Sequence, residues 1–341
     1  MMFGRQHPYR ARFVFLMLFV GLSALAPQLP FLSEKLRPWL STLTTANFLA
    51  IYAMSWDLLS GYTGQISFGH AFFVGAAGYT SAMLNLHLDL PVFATIPLGI
   101  LVAVVLGTLF AFPALRLKGP YFTLVTLIVL LVAIKVVGLF SRYTGGGTGR
   151  GGLDPLPGLT LITPLDVAQK INFYYSLGLM AVVALGLLLV ASSKAGRIFE
   201  AIREDEAAVE AAGVNPAKFK IFALMLGALA AGAGGAFWVH YWKSIGLSST
   251  LSLSLSFEMI IACVVGGMGT LLGPILGAYL LETAKRALAE LSEKITALNF
   301  LQAWTEFMLL ALLIVFLLFA RRGILQGMNT IFRKLVQGHS S

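Results

Sequence analysis

A chain of 341 residues that is 58% hydrophobic and 11% charged is not a soluble globule, because soluble domains carry roughly 25% charged residues. Its net charge of +9 comes from basic residues gathered beside apolar segments, as the positive-inside rule expects, and nucleic acid is thereby set aside as a partner. The single cysteine, Cys263, lies inside an apolar segment, so neither an intrachain disulfide nor a zinc knuckle can form.

Arg5, Arg10 and Arg12 precede the apolar run 13–32, which is too long for a signal-peptide core. A retained first span is predicted, with residues 1–12 as a cytoplasmic tail. Residues 34–41 form a short outer loop and 43–59 a second span, after which GYTGQ turns tightly into 66–84. That third segment is full of small residues, and Ala71, Gly75 and Tyr79 mark one face at four-residue spacing, where a second backbone can approach. Residues 91–112 carry a ladder of Gly99, Ala103, Gly107 and Ala111, read as helix packing. Arg116 and Lys118 then mark the cytoplasmic side, and 120–140 returns outward. The glycine- and proline-rich stretch from Ser141 through Lys170 is too polar for lipid and reads as an external loop before the span 173–190.

Residues 194–220 are the one long run with dense charge, five basic and five acidic side chains between two apolar spans. Residues 198–212 predict one surface helix, Gly213 its left-handed terminator, and Asn215 with Pro216 the cap and first position of the next helix. Ile198, Ile202, Val209 and Ala212 give a modest apolar stripe, suited to a surface or a partner's groove. A solvated connecting loop is the alternative.

Residues 219–242 leave again, and the count onward meets a difficulty. Single crossings at 257–281 and 303–320 put Arg321, Arg322, Arg333 and Lys334 outside, against the charge rule. Gly266, Gly267, Gly269, Gly273 and Pro274 offer the remedy of two half-helices meeting at a non-helical turn. One kinked helix with Gly269, Gly273 and Gly277 as a packing face is the other reading. The two glycine-interrupted segments, 66–84 and 257–281, stand in comparable halves of the chain, a pattern of pseudo-symmetric transporter cores.

No GxxxxGK[ST] phosphate loop occurs, and the GxGxxG at Gly147, Gly149 and Gly152 runs into Asp154 and Pro155 instead of a helix. There is no HExxH, and His7, His70, His87, His240 and His339 are scattered. No catalytic group, metal or cofactor is expected. Polar residues in apolar segments are costly and therefore informative: Asp57, Gln65, His70, Lys135, Glu258, Glu282 and Glu306. Lys135, Glu282 and Glu306 lie near segment ends, where they can snorkel, while Asp57 and Glu258 lie deeper and read first as interhelical hydrogen bonds.

Five stretches taken together, LSGYTGQISFGHAFFVGAAGY, PALRLKGPYFTLVTL, YTGGGTGRGGL, GRIFEAIREDEAAVEAAGVNPAKFKIFAL and GGMGTLLGPILGAY, resemble the LivM-type permeases of branched-chain amino acid ABC importers. The resemblance implies an all-α polytopic fold of about eight to ten transmembrane helices, some broken or re-entrant, in the bacterial inner membrane with both termini cytoplasmic. It implies a permease domain over 13–322 and a cytoplasmic tail over 323–341. Glu206, Ala207, Ala208 and Gly213 fall on the pattern of the cytoplasmic coupling loop that such permeases seat in an ATPase. The solute path is expected along Gln65, Ser67, His70, Tyr79, Glu258, Gly267 and Thr270, in the two interrupted segments. Implied partners are a second, LivH-type permease, two ATPase subunits and a periplasmic binding protein, which accounts for the missing phosphate loop. One departure is that Leu131 and its neighbours are apolar where members often carry an acid, the first charge being Lys135. Similar systems move urea, short amides or aromatic acids. An ion-coupled transporter needs a central titratable relay, for which Asp57 and Glu258 are a thin set, and a membrane enzyme needs a convergent nucleophile or metal cluster, which the sequence lacks.

Overall fold

The structure, a computed structural model, describes residues 7–28, 37–114, 120–160 and 162–294. The expected span 303–320, Glu306, the tail 323–341 and the basic residues Arg116, Lys118, Arg321, Arg322, Arg333 and Lys334 lie outside the described residues. Within them the chain is all-α apart from one two-residue strand pair, as the composition requires. Helices α1 (His7–Leu25), α2 (Leu40–Thr63), α3 (Ala71–Leu88), α4 (Val92–Ala114) and α5 (Pro120–Leu139) make the first half. A turn of helix, α6 (Ser141–Thr144), leads into the glycine-rich loop and α7 (Leu165–Ser192), followed by α8 (Lys194–Glu204), α9 (Glu206–Ala211) and α10 (Pro216–Trp242). The last described elements are α11 (Leu247–Thr250), α12 (Leu253–Gly266) and α13 (Leu272–Lys294).

Six segments among the described residues are long and apolar enough to cross a bilayer, and α2 is not one of them. Its Thr, Ser, Asn and Asp residues lower its apolarity, yet every residue from Ala46 to Thr63 is buried. A helix buried on all sides needs neighbours on all sides, and α2 has them in α7, α10, α12 and α13. Helix α10 packs beside it and against α3 and α4, at distances that leave no room for larger residues. A Cβ on Gly235 of α10 would collide with the Val74 carbonyl of α3, and one on Gly99 of α4 would lie 2.6 Å from the Ala77 carbonyl. The glycine ladder of α4 is therefore a packing face. By contrast α1 and α5 present exposed Met17, Leu18 and Leu22, and Leu124, Ile128 and Val132, surfaces that in a bilayer meet lipid or a neighbouring chain.

Of the two predicted interruptions, the one at 266–274 is a real break, whereas Ala71–Leu88 is one continuous helix through Gly75 and Gly78 and the irregular stretch lies ahead of it. After Thr63, residues 64–70 form an irregular, non-helical segment that packs against α2 before α3 begins. Backbone polar groups at that depth need internal partners. Trp56 Nε1 donates to the Ser67 carbonyl at 2.7 Å, Thr123 Oγ1 to that of Ile66 at 2.9 Å, and the Phe68 N–H donates to Thr126 Oγ1 at 3.2 Å. At the break α12 and α13 form an antiparallel hairpin around residues 267–271. Gly266 abuts Gly273 and Gly277 abuts Ala262, each too close for a Cβ, so the glycines serve a hairpin and not one kinked helix. Cys263 sits inside this packing, fully buried, its Sγ donating to the Ala53 carbonyl of α2 at 3.0 Å.

One expectation is corrected. The surface helix over 198–212 is two helices, because Asp205 adopts an extended backbone and caps α9, its Oδ1 accepting from the Ala208 N–H at 3.0 Å. The rest of that stretch follows the sequence: Gly213 is left-handed at φ 81° and Asn215 accepts from the Lys218 N–H before Pro216.

Candidate functional site

A polar cavity of about 270 Å³ opens between α2, α10, α12 and α13 at the end of the bundle that carries the glycine-rich loop. Thr45, Phe48, Leu49 and Tyr52 of α2 form one wall and Trp238 of α10 another. Ser248 and Ser249 of α11, with Ser252 and Ser254 at the start of α12, form its hydroxyl-rich rim. On the far wall Lys285 of α13 lies 2.7 Å from Glu258 of α12 and 2.9 Å from Glu282, one ammonium held by two carboxylates. Their side chains are 21%, 25% and 14% exposed, so water reaches them and screens the pair only in part. Charges at this depth in an apolar bundle are costly unless they face a wet cavity or each other, and these do both. The Tyr52 hydroxyl and the Trp238 indole N–H, both lining the cavity, have no hydrogen-bond partner among the described residues.

The seven residues expected on the solute path fall in four places. Glu258 alone lines the polar cavity. Gln65, Ser67 and His70 belong to the irregular segment before α3, where the Ser67 side chain is buried and His70 Nε2 lies 2.9 Å from Ser55 Oγ, against α2. Tyr79 lines a different, apolar groove of about 520 Å³ between α3, α4 and α5. Gly267 and Thr270 are in the hairpin turn, where the Thr270 hydroxyl donates to the Gly267 carbonyl at 2.7 Å and accepts from the Gly273 N–H at 2.9 Å. Sequence missed the chamber because its walls come from positions more than two hundred residues apart, each of which reads alone as an ordinary helix residue. Lys285 was the available signal: a basic residue at three-residue spacing from Glu282 on a segment otherwise long enough to span.

The hairpin turn is held by Asp57, as the interhelical reading anticipated. Its fully buried carboxylate accepts the N–H groups of Gly269 (2.6 Å), Thr270 (3.1 Å) and Leu271 (3.0 Å). This turn lies at the end of the bundle opposite the cavity mouth, where α8 and α9 also lie, since Arg203 of α8 donates to the Gly61 carbonyl at 2.7 Å. Helix α8 is strongly amphipathic, and its inward face is Gly196, Phe199 and Ile202, with Phe199 packed edge-on to Phe219. In α9 the Glu206 carboxylate accepts from Lys220 at 2.6 Å, which ties α9 to α10, while Ala207, Ala208 and Gly213 are exposed.

At the cavity end, buried His240 organises the loop. Its Nδ1 lies 2.8 Å from the Asp154 carbonyl and its Nε2 2.9 Å from Ser81 Oγ, while Asn85 donates to the Asp154 carboxylate at 2.8 Å. The strand pair β1 (Arg150–Gly151) and β2 (Ser244–Ile245) joins the same loop to the segment after α10. No group of three or more metal-ligating side chains occurs among the described residues.

Broken helices, glycine-packed crossings and a charged chamber among apolar walls define a multi-pass membrane permease subunit. The chain belongs to the family described as the branched-chain amino acid transport system / permease component, whose model matches residues 39–317. It is 28% identical over 296 residues to the high-affinity branched-chain amino acid transport system permease protein LivM of Salmonella typhimurium, covering 80% of this chain and 68% of that protein. The Escherichia coli protein of the same name is 28% identical over 296 residues, with the same coverage of each chain. No solved structure matches.

Proposed function

We propose that this chain is one membrane-spanning subunit of an ABC importer of the bacterial inner membrane. It passes a small polar solute, a branched-chain amino acid, that a periplasmic binding protein delivers and that separate ATPase subunits drive across. A LivH-type permease is its partner across the membrane, and the α8–α9 end and both termini face the cytoplasm. The observation that carries this reading is the pairing of a charged chamber at one end of the bundle with an exposed, amphipathically seated helix pair at the other. The chamber offers an ammonium beside a carboxylate for a zwitterion and Phe48, Leu49 and Leu255 for an aliphatic side chain. An ion-coupled relay is disfavoured because Asp57 is fully committed to the turn backbone and is not free to pass protons to Glu258.

Purification from native membranes tests the proposal: ATPase subunits and a second permease should co-purify, and reconstituted uptake should require ATP and the binding protein. Uptake by this chain alone, without nucleotide, rejects it. In the docked element Glu206 acts through Lys220 and fixes α9, while Ala207, Ala208 and Gly213 form the patch that meets the ATPase. Gly213→Val meets open space, so its effect is backbone strain alone, about 1–2 kcal/mol for a side chain forced left-handed. The variant should insert and accumulate normally while its uptake per ATP hydrolysed falls several-fold in vesicles. Unchanged coupling would count against the docking patch.

A further inference from the structure

We propose that Arg203 is the joint through which movement of α8 and α9 reaches the cavity walls. This rests on the reading of α8–α9 as the ATPase-docking element and adds a residue-level route from it to the chamber.

Three elements converge on one guanidinium. Arg203 Nη1 donates to the Gly61 carbonyl at 2.7 Å, in the last turn of α2, where carbonyls lack helical partners and a cation is favoured. The same nitrogen would lie 2.9 Å from a Cβ on Gly269, and the Arg203 stem would lie 3.2 Å from a Cβ on Gly64. The exposed side chain thus lies across the end of α2 and the hairpin turn, close against positions where a Cβ would crowd it. One helical turn before Gly61, Asp57 grips the backbone of residues 269–271. A Cβ on Gly61 would sit 2.7 Å from the Gly269 N–H, so α2 and the turn are in backbone contact at this point.

The elements joined here are the ones that wall the chamber. Thr45 to Tyr52 lie further along α2, Glu258 lies on α12, and Glu282 and Lys285 lie on α13. At about 1.5 Å rise per residue, Glu282 is roughly 15 Å along α13 from its first residue, Leu272. The α12–α13 hairpin is packed through backbone contacts at Gly266 and Gly277, too tightly to absorb a displacement at its turn. A shift of α8 therefore moves the hairpin against α2 and alters the Glu258–Lys285–Glu282 wall. Phe199 and Ile202 of the same helix are buried apolar side chains, and such packing slides more readily than a directed hydrogen bond.

The test uses the complete importer, reconstituted with its binding protein and ATPase subunits. Arg203→Met keeps the stem and removes the donor. Arg203→Gln keeps polarity but is too short to reach Gly61, and Arg203→Lys restores one donor. For Met and Gln we expect intact assembly, continued ATP hydrolysis and a fall of about tenfold in uptake per ATP, within the usual range of site-to-site couplings. Lys should recover a substantial part of that loss. Wild-type uptake per ATP in either donor-less variant overturns the proposal, as does loss of ATPase co-purification, which would make Arg203 a docking residue. If Met fails to accumulate, Gln decides on the same readout. Failure of the wild-type complex itself to show ATP-dependent uptake would instead reject the importer reading.

Discussion

Lys285→Met should leave the permease in the membrane and reduce uptake about a hundredfold. The ammonium is shared by Glu258 and Glu282, and its removal sets two carboxylates against each other in a chamber that solvent reaches only partly. Breaking a fully buried pair costs roughly 3–5 kcal/mol. With these side chains 14–25% exposed, water and counterions return part of that, and about 2–3 kcal/mol remains, which corresponds to the stated loss. A triple variant that also carries Glu258→Gln and Glu282→Gln removes the repulsion. It should match the native protein in membrane level and thermal stability while uptake stays low, which separates a requirement for charge from a requirement for folding. Wild-type uptake in the triple variant would show that the chamber is not used.

The largest effect on stability belongs to Asp57→Ala. Three backbone N–H groups in the hairpin turn lose their acceptor together. A buried donor left unsatisfied costs about 1–3 kcal/mol, and water entering the vacated space can serve one of the three, so a net loss of roughly 3–5 kcal/mol is expected. The purified variant should melt well below the native protein and be cut by protease between Gly267 and Leu271. Asp57→Asn, which keeps one acceptor oxygen, should fall between the two. A melting temperature for Asp57→Ala within about two degrees of the native value would mean that the turn is held by packing alone.

Much of this architecture is legible in the chain because glycine, proline and asparagine act locally. The break at residues 267–271 follows from its glycines together with the charge rule that single crossings would violate, and the cap at Asn215–Pro216 needs only its immediate neighbours. The helix break at Asp205 was equally local but competed with a run of strong helix formers on both sides, and the extended cap geometry won. Long-range features were out of reach. The burial of Phe199 depends on Phe219 and Phe222 arriving from α10, and the role of His240 depends on Asp154, 86 residues away. His70 read as a polar residue at membrane depth, yet its environment is helix packing: it bonds Ser55 and stacks edge-on against Phe73. The chamber itself has no local signature, since its charged wall is assembled by a hairpin whose two arms were legible only as one interrupted segment.

The chain's sole thiol is sealed between α2 and the hairpin, with its hydrogen already donated to a carbonyl. Maleimides and methanethiosulfonates therefore find no native target in the folded protein, and a cysteine placed at any other site reports by itself. The unaltered sequence can thus serve as its own blank for mapping, position by position and from either face of the membrane, which parts of the route become wet during a transport cycle.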